Sequence, residues 1–380
     1  MKKVLSIVVM MTMVFTLVLT GCGEKKTDTV DSGTQVNDDN GSNADSQEDI
    51  NDTEDTDSED EQEDVADKAL KVSMVTDTGG INDQSFNQLA WAGLEKAQKD
   101  LGITAEFLES TQEADYAPNL ETLYDQDNDL IWGIGYLMAD AVLDAAKTNP
   151  DRKYAIIDNA YTEEQEAPDN LLGVTFSEQE PSFLVGYIAG KMTKTNNVGF
   201  VGGMEFDVIW RFESGYRAGV KTANPDAEIQ IQYVNDFGDT AKGKAIANGM
   251  YQNGADIIFH AAGFSGTGVI ESAVENGKLV IGVDQDQKVI LGKDEIITSA
   301  VKKVDQAIYN VVKELQEGKW EGGSNINLGL ADGAVGIADT SVDSVPQDIL
   351  DEVKQLEQDI IDKKITVPAT REEYDELYSE

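Results

Sequence analysis

Short apolar, β-rich runs alternate with amphipathic stretches along most of this chain. The runs are Leu70–Thr76, Thr104–Leu108, Leu130–Ile134, Tyr154–Ile157, Gly173–Phe176, Val198–Val201, Ile229–Val234, Ile257–His260, Leu279–Val283 and Ile296–Ser299. Between most of them apolar residues recur at helical spacing, as in Ser85–Lys99, Pro181–Thr193, Phe212–Thr222, Thr240–Gln252 and Val304–Gln316. Another amphipathic stretch, Leu350–Lys363, follows Pro346. Strands alternating with helices predict an α/β protein with doubly wound parallel sheets. Strands that are apolar on both faces predict sheets covered by helices on both sides. From about Ala69 to the C-terminus the chain is long enough for two such lobes.

The first 68 residues break the pattern. Met1-Lys2-Lys3 precedes an almost unbroken apolar run, Val4–Leu19, which is short for a membrane span and reads as a secretory signal over residues 1–21. Leu19-Thr20-Gly21-Cys22 resembles the bacterial lipobox, in which the cysteine is acylated and becomes the new N-terminus. Two acyl chains would hold the protein to the membrane, on its extracytoplasmic face, where one would not. Cys22 is the only cysteine, so no internal disulfide can form and stability must come from an ordinary core. From Thr27 to Asp67 there is no lysine or arginine and little apolar surface, so residues 22–68 are expected to be an acidic disordered tether. This segment supplies much of the formal net charge of −43, an excess of acid that argues against binding nucleic acid.

In doubly wound sheets the ligand sits beyond the carboxyl ends of the strands. Asp77-Thr78-Gly79-Gly80-Ile81-Asn82-Asp83-Gln84-Ser85-Phe86-Asn87 follows the first strand, Asp158-Asn159 the Tyr154 strand, and Gly202-Gly203-Met204-Glu205-Phe206 the Val198 strand. Ala261-Ala262-Gly263-Phe264 follows His260, and Asp284-Gln285-Asp286-Gln287 follows the Leu279 strand. Carboxylates, amides and aromatics therefore gather on one edge, with no nucleophile–base arrangement among them. A binding protein is expected, not an enzyme, and no cofactor or metal.

At these residues the chain resembles the basic-membrane-protein, or PnrA-like, family of nucleoside-binding lipoproteins of ABC importers. Asp77–Asn87 carries the family pattern Asp-x-Gly-Gly-x-Asn-Asp-x-Ser-Phe-Asn in full, and Phe200–Gly203, Gly215–Gly219, Gly282–Gln287 and Thr298–Lys302 complete the set. The resemblance implies a type I periplasmic-binding-protein fold, with two lobes joined by a hinge and the ligand between them. The lobes are expected at about 69–175 plus 285–320 and 176–284 plus 321–380. It also implies a purine nucleoside as ligand, an ABC permease as partner, and a monomer. A pentose or signalling sugar, or a sensor role on the same scaffold, is the alternative.

A bound nucleoside needs aromatic faces for its base, and Phe86 and Phe206 are the candidates, with Trp210 one turn beyond Phe206. Asp77, Asn87 and Asp158 can serve the base edge, Asp284 the ribose diol, and Lys302 the ribose oxygens, while Gly263 lets backbone approach the sugar. Each has an ordinary rival: Phe86 and Phe206 as core aromatics, Asp158 as a helix cap, Lys302 as a solvated residue at a helix start. Phe264 departs from the usual family form, in which a smaller residue stands there. Gly238–Lys244 fits most of a phosphate-cradling loop, but Ala245 replaces the hydroxyl residue that would hold magnesium. His260, the single histidine, reads as a core residue.

Overall fold

The computed structural model describes residues 69–378. The signal segment, Cys22 and the acidic tether lie outside the described residues.

Two six-stranded sheets carry the fold. The first contains β1 (Lys71–Val75), β2 (Thr104–Leu108), β3 (Leu130–Ile134), β4 (Lys153–Ile157) and β5 (Leu171–Phe176). The second contains β6 (Asn197–Gly202), β7 (Glu228–Tyr233), β8 (Ile257–Ala261), β9 (Leu279–Asp284) and β10 (Ile296–Lys302). Two late strands complete them. β11 (Ser324–Leu328) pairs in parallel with β5 in the first sheet, and β12 (Val335–Ile337) pairs antiparallel with β10 in the second. The orders are β11-β5-β4-β3-β1-β2 and β12-β10-β9-β8-β6-β7. Every other pairing is parallel. β3 and β8 are buried along their whole length, as expected of central strands covered on both faces, whereas β2 and β7 at the edges are partly exposed.

The chain crosses between the lobes three times: after β5, after β10 and after β11. Two expected assignments therefore need correction. Residues 285–302 belong to the second lobe, because β10 pairs with β9, and β11 belongs to the first. Only α9 (Val304–Gln316), out of the 285–320 segment, packs on the first lobe, against α1 (Phe86–Leu101). An apolar run shows that a strand forms, but which sheet receives it depends on distant edges that local pattern does not describe.

The phosphate-loop-like segment is a helix start. Asp239 Oδ1 accepts the Lys242 N–H at 2.9 Å and caps α6 (Thr240–Gln252). Glycines let α6 pack against α7 (Ser265–Asn276): a Cβ on Gly243 of α6 would lie 2.2 Å from the Ser265 carbonyl oxygen, and one on Gly268 of α7 would lie 1.9 Å from that of Thr240. Gly268→Ala is therefore expected to lower the melting temperature by several degrees, since the contact is backbone against backbone and cannot relax by side-chain movement.

Candidate functional site: the cleft between the lobes

Four strand ends turn sharply at the cleft. The residue at or just after the end of β3, β4, β8 and β9 has a positive φ: Gly135 at 109°, Asp158 at 68°, Gly263 at 53° and Asp284 at 65°. Two of these positions are glycine, which adopts such backbone freely. The other two are aspartates, which tolerate the left-handed region better than most side chains and place a carboxylate where the chain turns.

The cleft, with the solvent space at its mouth, spans about 560 Å³ and is lined from both lobes. The first lobe contributes Asp77, Gly79, Asp83, Phe86, Asn87, Gly135, Tyr136, Leu137 and Asp158. The second contributes Val208, Ile209, Phe212, Phe237, Ala261, Gly263, Phe264, Val283, Asp284 and Lys302. Seven of the nine expected residues are thus brought together. Phe206 and Trp210 are not.

Helix geometry explains the correction. α5 runs from Asp207 to Ala223, and Val208, Ile209 and Phe212 share one of its faces, which turns to the cleft. Trp210 lies on the opposite face, where the Arg371 guanidinium sits 4.9 Å from its ring centre. Phe206 precedes the helix in extended backbone, is 42% exposed, and stacks on Tyr136 of the first lobe at 3.9 Å between ring centres. Tyr136 and Phe237 could have been found from the strand-end rule, since they follow β3 and β7. Val208, Ile209 and Phe212 needed the helix register.

The Asp77–Asn87 loop is built around buried carboxylates. Asp83 accepts the backbone N–H groups of Ser85, Asn87 and Gln88 at 2.9, 2.8 and 3.1 Å, and so caps the start of α1 in place of a Ser85 hydroxyl. Asn87 Nδ2 donates to Asp77 Oδ1 at 2.7 Å and to Asp83 Oδ2 at 3.2 Å. That leaves Asn87 Oδ1 as a buried acceptor without a protein donor, and the Tyr136 hydroxyl is likewise buried without a partner. Unsatisfied buried groups lining a cleft are what a polar ligand would complete.

Lys302 is the other organising group. It is 2% exposed, so it is not a solvated residue at a helix start. Its Nζ donates to both carboxylate oxygens of Asp158, at 2.8 and 2.7 Å, and to Glu178 Oε1 at 3.3 Å. Glu178 lies at the first crossing, is wholly buried, and also accepts from Arg211 Nε at 2.5 Å. It stands two residues after β5, so the strand-end rule could have found it as well. Asp158 does not cap a helix. Its carboxylate pairs with the ammonium across the hinge.

Burial dominates the ionisation here. It pushes Asp77 and Asp284 above the ordinary carboxylate value, Asp83 up to about 7, and Asp158 up to about 6, the last against the pull of Lys302 and with the push of Glu178. Burial would lower Lys302, but Asp158, Glu178 and Asp284 outweigh it and hold the ammonium charged. Both partners thus favour the protonated state, Asp158 chiefly through burial and Lys302 through the carboxylates around it. Asp158 in the unfolded chain ionises near 3.8, so between about 4 and 6 the folded protein keeps a proton that the unfolded chain has released. Stability from this group is fully present below about 4 and is lost as pH rises through 6. Melting curves of the wild type and Asp158→Asn should therefore shift in the wild type's favour as pH falls from 7.5 to 5. The opposing contribution of His260, which burial lowers to about 4, is common to both proteins.

A family model described as ABC transporter substrate-binding protein, PnrA-like, matches residues 70–371. The chain belongs to this family. The CD4+ T-cell-stimulating antigen of Listeria monocytogenes is 43% identical over 321 residues, covering 79% of this chain and 88% of that protein. The ABC transporter nucleoside-binding protein BmpA of Lactococcus lactis subsp. cremoris is 39% identical, covering 79% and 89%. Among solved structures, an ABC transporter solute-binding protein from Aeropyrum pernix K1 superposes with a TM-score of 0.74 at 28% identity, covering 81% of this chain and 96% of its own. The protein is thus an ABC transporter substrate-binding protein with two parallel-dominated α/β sheets, of the periplasmic-binding type. Among the described residues no helix is long and apolar enough to cross a membrane.

Proposed function

We propose that this protein, anchored through Cys22, captures purine nucleosides outside the cell and delivers them as a monomer to an ABC import permease. The observation that carries this reading is the composition of the cleft. Aromatic rings alternate with buried carboxylates, and the one cation among its described lining residues, Lys302, already spends its donors on Asp158 and Glu178. Such a lining suits a neutral ligand with an aromatic face and several hydroxyl or amino donors, and it disfavours phosphates. A nucleoside has those features. The name of the Lactococcus lactis relative supports the same class.

In this reading the base stacks on Phe86, with its second face covered by Phe212, Phe237 or Phe264 of the other lobe in place of Phe206. Asn87 Oδ1 and Asp77 accept from the base edge. Asp284 accepts from the ribose diol through Oδ1, since Oδ2 is bonded to the Ser85 hydroxyl.

A ligand that binds only the native state stabilises it by about 2.7 kcal/mol at a hundredfold excess over Kd. Inosine, guanosine or adenosine should raise the melting temperature by several degrees, and ribose alone should do little. Equal shifts with ribose and nucleoside would favour a sugar ligand instead.

A further inference from the structure

Gln287 closes the family motif at Gly282–Gln287, yet it does not line the cleft. It is wholly buried at the start of α8 (Gln287–Leu291) in the second lobe. Its Oε1 accepts the Val283 backbone N–H at 3.1 Å and lies 3.0 Å from His260 Nε2. Its Nε2 donates at 3.1 Å to the backbone carbonyl of Gln84 in the first lobe. The amide orientation follows from its neighbours: Val283 N–H can only donate and the Gln84 carbonyl can only accept. His260 must then carry its proton on Nε2, and Gly266 packs so close to the ring that a Cβ there would lie 2.1 Å from Nδ1.

The other half is equally preset. Gln84 is a non-glycine residue at φ 55°, held there by the Asp83 carboxylate, which binds the amides on its far side. Its carbonyl is thereby presented to the second lobe. One residue on, the Ser85 hydroxyl donates to Asp284 Oδ2, a second bond between the lobes.

We propose that Gln287, oriented by His260, is an interlobe latch whose bond to the Gln84 carbonyl stabilises the closed form without touching the ligand. These are positioning residues, and they act on ligand affinity through the closed fraction alone. A bond available only when the lobes meet raises apparent affinity equally for every ligand that closes them.

The test uses Gln287→Glu, which keeps the shape but sets a carboxylate oxygen against the Gln84 carbonyl. In the full chain carrying Cys22→Ser, spin labels at Lys99→Cys and Lys242→Cys, one on each lobe, report the interlobe distance. Without ligand, Gln287→Glu should shift the distribution toward longer distances than the wild type. With inosine and 2′-deoxyinosine as probes, Kd should rise about three- to tenfold, by the same factor for both. His260→Ala should act in the same direction and non-additively with Gln287→Glu. If Gln287→Glu does not fold, Gln287→Asn, too short to reach Gln84, replaces it in both arms. An unchanged ligand-free distance distribution overturns the latch, as does a change in Kd for only one of the two ligands. The affinity arm rests on the nucleoside reading, whereas the ligand-free arm does not. Failure of the wild type to bind inosine would count against that reading and leave the latch to be judged on distances.

Discussion

Lys302→Met is expected to destabilise the folded chain by about 3–5 kcal/mol, seen as a lower urea midpoint at pH 8. The reason is the isolation of its partners. Methionine fills similar space but leaves Asp158 without a counter-charge and Glu178 with Arg211 alone, both carboxylates in surroundings that water barely reaches. Removing one member of a buried cluster costs far more than the cluster contributes as a whole, because the remaining charge keeps its desolvation penalty. The loss should shrink at pH 5, where Asp158, already raised to about 6 in the wild type and higher without Lys302, takes up a proton. The double variant with Asp158→Asn should recover part of the stability at pH 8. A midpoint that does not move at pH 8 would mean that Lys302 is not the counter-charge of the hinge.

Asp284→Ala is expected to weaken nucleoside binding by at least roughly a hundredfold in calorimetric titration. Two ligand hydroxyls lose a charged acceptor in a closed cleft, and each such bond contributes about 1.5–3 kcal/mol. The loss should be much smaller for 2′-deoxynucleosides, which lack one of the hydroxyls. Asp284 also accepts from Ser85 across the lobes, so part of the loss concerns closure. Ser85→Ala isolates that part, because it removes the interlobe bond and leaves the carboxylate, and it should affect ribo- and deoxynucleosides alike. Phe86→Ala should also weaken both equally, since stacking involves only the base. If Asp284→Ala proves no worse than Ser85→Ala, or harms both ligand types to the same degree, the ribose does not lie at Asp284.

Aromatic residues show best how far local pattern reaches. Phe86 reaches the cleft lining because it lies one residue inside a motif that turns at a strand end. Phe206 is one residue outside a helix, and nothing in the local pattern distinguishes a ring that enters the cleft from one that stacks on Tyr136 at its rim. Trp210 was misplaced through its spacing from Phe206, although the stripe of Val208, Ile209 and Phe212 sets the inward face of α5.

The sequence by itself determined the α/β class, the parallel strands and the edge at which Asp77, Asn87, Asp158, Gly263 and Asp284 collect. It could do so because strand and helix periodicities, and the turn chemistry of aspartate and glycine at strand ends, act over a few residues. Only the tertiary structure decided that β10 and β11 exchange lobes, that Glu178 and Asp158 share Lys302, and that Gln287 reaches the Gln84 carbonyl. Those contacts join residues 124 to 203 positions apart. Whether they form depends on how the two sheets meet, a matter of packing between surfaces that no local spacing records.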